Sequence, residues 1–140
     1  MPLATLQIYS LILEVVTDCN ELCKSIRSRA DYDLADQLSR AVLSVSNNFA
    51  EGYGRIATGE RLMFMSYADG SVQECRNGIK VALIRQLVPD KLASVTILTL
   101  GRISIGIIEL SAAFLDKDQA YKGLYRKLIQ QRRQWRFKTK

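Results

Sequence analysis

The sequence predicts an all-α protein, a four-helix bundle followed by a basic C-terminal helical extension or tail. Three observations carry that prediction. Apolar residues recur at spacings of three and four through long stretches, the period of one helix face. The apolar/polar alternation that strands need is absent, and only two prolines and eight glycines interrupt 140 residues. With 48% hydrophobic residues, the chain can bury one sizeable core and leaves little room for a second domain.

The first helix is expected from about Leu3 to Arg27, with Tyr9, Ile12, Val16, Cys19, Cys23 and Ile26 as its apolar seam. Asp31 is placed to cap the second helix. That helix starts near Tyr32 and carries Ala35, Leu38, Val42, Val45 and Phe49 at heptad spacing. Gly52 is next in the series and is expected to end the helix in the left-handed conformation. Thr58 then reads as the N-cap of the third helix, with Glu60 near the positive end of its dipole. The third helix presents Met65, Ala68, Val72, Cys75, Ile79 and Ala82 on one face. Gly70-Ser71 and Gly78 interrupt it, and each glycine costs about 1 kcal/mol against alanine in a helix interior, so another backbone is expected close by. Pro89 follows the helix, and Asp90 is expected to cap the fourth.

The fourth helix, about Lys91 to Asp116, is apolar nearly all round. Ile97, Leu98, Leu100, Ile103, Ile105, Ile107, Ile108, Leu110 and Phe114 cannot share one narrow stripe. A bundle helix needs to bury only about a third of its circumference. The surplus predicts a homo-oligomer with this helix at the interface and Gly101 and Gly106 allowing close approach. Leu92–Leu115 carries Arg102 and Glu109, and inserting them into a bilayer would cost roughly 2–3 kcal/mol per central charge. A soluble, largely buried helix is the expectation. An odd count of three cysteines and the lack of an export-signal pattern lead to a reduced, cytoplasmic setting.

Charge divides the chain. Residues 117–140 hold nine Lys/Arg against one acid, a net of +8; the other 11 basic and 13 acidic residues leave 1–116 at −2. Residues 1–116 therefore read as the bundle and 117–140 as its extension. Tyr121, Leu124, Tyr125 and Leu128 keep helical spacing, so helix is expected to about Gln131 and a flexible basic end from Arg132. Lys122, Arg126, Lys127, Arg132, Arg133, Arg136 and Lys138 are the candidate phosphate contacts, and Trp135 the candidate stacking residue, with Tyr121, Tyr125 and Phe137 able to assist. Nucleic acid is the partner this composition favours. A solvated or protein-binding tail and an amphipathic segment touching an anionic membrane are the competing readings.

Enzymatic chemistry finds little support. The chain has no histidine, which removes Ser-His and Cys-His pairs and the Glu-x-x-His di-iron motif. Cys19, Cys23 and Cys75 lie on apolar seams and lack a fourth metal ligand, so core packing is their expected role. Gly52-Tyr53-Gly54 lacks the lysine and strand context of a phosphate loop. Asp69 and Glu109, like Glu51 and Glu74, are acids whose spacing demands no acid/base pairing. No catalytic residue, metal or cofactor is expected.

One corner carries a resemblance. Leu34-Ala35-Asp36-Gln37-Leu38-Ser39-Arg40-Ala41, then Ser44-Val45 and Asn48-Phe49-Ala50-Glu51-Gly52-Tyr53-Gly54-Arg55, followed by Glu60, Leu62, Phe64, Met65, Ala68, Gly70-Ser71 and Glu74, resembles the signature of the four-helix-bundle proteins also called 23S rRNA intervening-sequence proteins. The likeness spans about residues 5–115, and a related branch is the accessory variability determinant of diversity-generating retroelements. It implies an antiparallel up-and-down four-helix bundle assembled as a ring, typically a homopentamer, with basic surfaces that contact nucleic acid, RNA above all. In the retroelement branch it implies a protein-interaction ring that partners a reverse transcriptase. Ser46-Asn47 departs from the family's usual proline and alanine, and a serine there should leave the second helix straighter. Within the signature, Asn48, Glu51 and Arg55 are spaced along one helix side and are expected to form a structural polar network with Ser71 and Glu74. RNA contact through Tyr53 and Arg55 is the alternative for that corner.

Overall fold

A computed structural model describes the backbone of residues 6–138 and the side chains of residues 6–135. Among the described residues, five helices follow in order: α1 (Gln7–Ser28), α2 (Tyr32–Gly54), α3 (Thr58–Ile84), α4 (Asp90–Lys117) and α5 (Leu124–Lys138). No strand occurs among the described residues. α1 packs on α2, α2 on α3, α3 on α4, and α4 returns to α1, so the first four helices enclose one core; α5 lies against α4 and α3.

The seams of α2 and α3 are those the sequence implies, every named residue being buried. α1 buries more than expected. Val15 and Leu22 join Ile12, Cys19, Cys23 and Ile26 in the core, while Tyr9 and Val16 pack at its margin. A helix facing two neighbours needs a face wider than a single heptad seam. Asp31 caps α2 as its chemistry implies, accepting from the Leu34 amide at 3.3 Å, and its other oxygen accepts from Arg85 at 2.8 Å.

Three helix-end expectations are corrected. Gly52 does not terminate α2; it is helical, buried, and followed by two more helical residues. No glycine has positive φ; among the described residues the left-handed positions are Ala30 (φ 65°) and Gln86 (φ 58°), at the ends of α1 and α3. The reason for Gly52 is space, since a β-carbon there would sit 2.9 Å from Phe64 Cβ and 3.1 Å from the Arg61 carbonyl oxygen. Thr58 is the first helical residue rather than the cap, and its hydroxyl donates across the fold to Asp118 Oδ2 at 2.6 Å. Asp90 likewise falls inside the first turn of α4, with Pro89 in the capping position.

The small-residue expectations need the same revision. Around Gly70 there is open space, and Gly78 makes only ordinary contact with Leu38, at 3.8 Å. Gly106 does allow a close approach, but to Ile8 of α1 in the same chain, 2.7 Å from its would-be β-carbon. Ile8 and α5 therefore cover part of the apolar surplus of α4. By length and composition α4 is able to cross a membrane, yet ten of its side chains are buried in this fold. The chain after Lys117 also differs from expectation. It breaks at 118–123 and resumes as α5, which runs to Lys138 instead of loosening at Arg132.

The glycines give a paired test. Gly52→Ala is expected to lower stability by about 1–3 kcal/mol, the cost of overpacking a filled contact. Gly70→Ala is expected to raise it by about 0.4–1 kcal/mol by removing unfolded-state freedom. Urea denaturation of both variants checks the pair; equal effects would contradict this account of Gly52.

Candidate nucleic-acid interface

The basic segment is ordered by its own arginines. Arg126 gathers the carbonyls at the end of α4, donating to Tyr121 O (2.9 Å), Asp118 O (2.7 Å) and Leu115 O (3.4 Å). A guanidinium suits that place because a helix C-terminus presents unpaired carbonyls and partial negative charge. Ile129 joins the core, and Tyr125 packs at its edge.

Farther along α5, Arg132 donates to Asp69 Oδ2 at 2.9 Å, and Arg133 grips Glu109 at 3.3 and 3.4 Å. Asp69 is 5% exposed and also accepts from Ser104 Oγ at 2.6 Å and Gln73 Nε2 at 3.3 Å. A carboxylate this deep needs such partners, because desolvation without them is costly. Spacing alone gave Asp69 no assignment; its burial and its long-range partners define it as the anchor of α5.

The candidate contacts thus divide. Arg126, Arg132 and Arg133 hold the extension in place. Lys122 and Lys127 are exposed and form no hydrogen bond or ion pair among the described residues. Trp135 is 62% exposed on α5. Arg136 and Lys138, with Phe137, have side chains outside the described residues.

At the α2–α3 corner the polar network forms in part. Asn48 Nδ2 donates to Ser44 O and Ser44 Oγ, both at 2.9 Å, and Ser44 Oγ bonds Ser71 Oγ at 2.7 Å across the helix pair. Glu51 pairs with Arg55, which also approaches Glu60 at 3.8 Å and lies over the Phe64 ring at 5.1 Å. Glu74 is not brought to this network. It lines a separate polar cavity with Asp31, Asp33 and Arg85. Gly54, like Gly70, has no neighbour within 4 Å of its would-be β-carbon.

Sequence reasoning missed Arg61. Its Nε donates to Arg55 O at 2.6 Å, its Nη2 donates to Tyr53 O at 3.0 Å, and its guanidinium lies 4.2 Å from the Phe114 ring centroid. A cation in the first turn of a helix opposes the dipole, and that mismatch was the available signal. The cysteines are core residues. Burial drives the Cys19 thiol far above its usual range, pushes Cys75 up to about 12 and raises Cys23, whose sulfur donates to Ala35 O at 3.5 Å. No cluster of metal-ligating side chains occurs among the described residues.

A sequence profile for the 23S rRNA-intervening sequence protein matches residues 4–107, the whole corner and its flanking helices. The chain belongs to the 23S rRNA-intervening sequence protein family. Among solved structures, this intervening-sequence protein is similar to a protein of unknown function from the S23 ribosomal protein family of Bacteroides thetaiotaomicron. That likeness has a TM-score of 0.70 at 12% identity, covers 74% of this chain and 97% of the other, and speaks to the fold. No curated protein matches the sequence. The family match ends within α4, so α5 and its ion pairs lie beyond it.

Two outcomes test this geometry. Arg132→Leu leaves a buried carboxylate oxygen without its partner and is expected to cost about 1–3 kcal/mol, read from urea denaturation followed by Trp135 fluorescence; an unchanged midpoint would refute the anchor. The buried thiols should resist a thiol reagent in the native protein and react once it unfolds. Because burial holds the folded Cys75 pKa above its ordinary value of 9.0, the neutral thiol's contribution to stability is complete below pH 9 and is lost as pH rises towards about 12. Thermal melts across that range check the sign.

Proposed function

We propose that this chain is a non-enzymatic, cofactor-free cytoplasmic scaffold that binds structured RNA or other nucleic acid without strong sequence preference. In this reading the up-and-down bundle repeats as a ring-like homo-oligomer, a pentamer by family resemblance. The observation that carries it is the docking of Leu124–Lys138, within the +8 segment, as α5, with Lys122 just before it and Lys127 on it left exposed while residues 1–116 sum to −2. Fixed cations facing solvent neutralise phosphates and release counterions, and repetition in an oligomer multiplies the local field.

Ile56 and Ile84, exposed at the two ends of α3, favour a second reading, in which the bundle exterior meets a protein such as a reverse transcriptase. A gene position beside a reverse transcriptase and a variable-repeat template would support that reading; a position inside an rRNA gene insertion would support the first.

Because α5 packs on the core, deleting it would uncover apolar surface, and charge reversal is the cleaner test. Lys122→Glu with Lys127→Glu is expected to weaken RNA binding by about tenfold or more and to flatten the dependence on salt, measured by titration across a salt series. Binding unchanged by this pair would remove α5 from the interface. Light scattering should return a multiple of 15.8 kDa; a monomer overturns the ring.

A further inference from the structure

Beside α5 runs an open groove of about 780 Å³, walled by Arg76 of α3, Leu98, Arg102 and Ile105 of α4, and Arg132 and Trp135 of α5. No acidic side chain lines it. Arg76 spends one nitrogen on Gln73 Oε1 at 3.3 Å, and its buried Nε has no partner among the described residues. A β-carbon at Gly101, on the floor beside it, would make only ordinary contact with the Arg76 guanidinium, at 3.9 Å. Arg102 is exposed and makes no hydrogen bond or ion pair among the described residues. Arg132 engages Asp69 through one nitrogen and retains further donors in its five-donor fork. Between the cations the surface is apolar and open, with Leu98 70% and Trp135 62% exposed.

The geometry points to a single-stranded nucleic-acid site, in which a phosphate is held by Arg76 and Arg102 while an unstacked base lies against Trp135 and the Leu98–Ile105 surface. This inference rests on the nucleic-acid reading above and adds where, and in which form, the strand is held. Arg76 and Arg102, neither paired with an acid among the described residues, call for an anion, and Arg132, whose charge Asp69 already meets, adds spare donors. The aromatic and aliphatic surface between them calls for a flat apolar body attached to it. A nucleotide of a single strand supplies both, whereas a duplex keeps its bases stacked inside and offers only phosphates. The volume lies within the 300–1,000 Å³ range of small-ligand clefts, so it suits one or two nucleotides. A second copy meeting this surface with its own would bring two sets of arginines together, an unfavourable pairing, whereas a ring contact that meets it with another face would cover the groove and is read by the mass of the Arg102→Gln protein.

Trp135 is the chain's only tryptophan, so its fluorescence reports the groove directly. The full-length protein is titrated at low salt with a short oligouridylate and with an RNA duplex of the same length. The single strand is expected to quench Trp135 in a saturable way, and the duplex to bind with little quenching. Arg102→Gln, a change at an exposed site whose folding circular dichroism checks, should weaken the single-strand titration about fivefold or more. Trp135→Leu, followed by anisotropy of a labelled strand, should cost about five- to a hundredfold on the single strand, the range of one lost base stack, and leave duplex binding unchanged. Equal quenching by the duplex, or single-strand affinity indifferent to both variants, overturns the groove while the Lys122/Lys127 result still decides the broader reading. An Arg102→Gln protein of altered mass with unaltered binding makes the groove a subunit contact and also overturns the proposal. Absence of binding by either nucleic acid removes this site together with the nucleic-acid reading.

Discussion

The backbone-level contact between α2 and α3 at Gly52 is the constraint on which the rest of the molecule depends. With no side chain at that position, Phe64 Cβ and the Arg61 carbonyl come within 3.1 Å of where a β-carbon would be. The approach brings the first turn of α3 under the end of α2, where Arg61 collects the carbonyls of Tyr53 and Arg55. The same guanidinium lies over Phe114, and Thr58 reaches Asp118, so the end of α4 is tied to that corner. The end of α4 in turn is where Arg126 starts α5. A tight contact between two helices thus propagates, step by step, into the placement of the basic segment.

The cations of that segment serve two purposes. Arg126, Arg132 and Arg133 act on carbonyls and carboxylates of the bundle, giving α5 a defined register. Exposed ion pairs contribute little to stability, so the Arg133–Glu109 pair orients more than it strengthens. The Asp69 pair is different, because one partner is buried and would be left desolvated without the other. Counting the segment's formal charge therefore overstates what it presents to solvent, and the lysines carry more of the outward field than their number suggests.

Helices α2 and α3 were legible because the named seam of each repeats at three and four, a purely local pattern, although Leu34 and Ala41 of α2 and Leu62 of α3 also join the core. α1 was read too narrowly, since Val15 and Leu22 face a second neighbour that the pattern of one helix does not reveal. Gly52 and Thr58 look in sequence like a stop and a start, and their actual roles depend on Phe64 and Asp118, residues reached only through the fold. The anchoring of α5 was invisible for the same reason: Asp69 and Arg132 are 63 residues apart. The Asn48–Ser71 side of the corner was readable from type and spacing, whereas Glu74 shares the signature without sharing the network.

The sealed thiols have a consequence for how the protein's electrical character responds to its surroundings. Histidine is the one side chain whose ordinary titration falls between pH 5 and 8, and this chain has none. The next candidates would be the cysteines, and burial moves all three away from neutrality. Acidity near neutral pH therefore has no histidine or thiolate through which to redraw the potential around α5. Ionic strength does have such access, through screening over a length of roughly 8 Å at physiological salt. Near neutrality the potential around α5 therefore answers to mobile ions rather than to any imidazole or thiol.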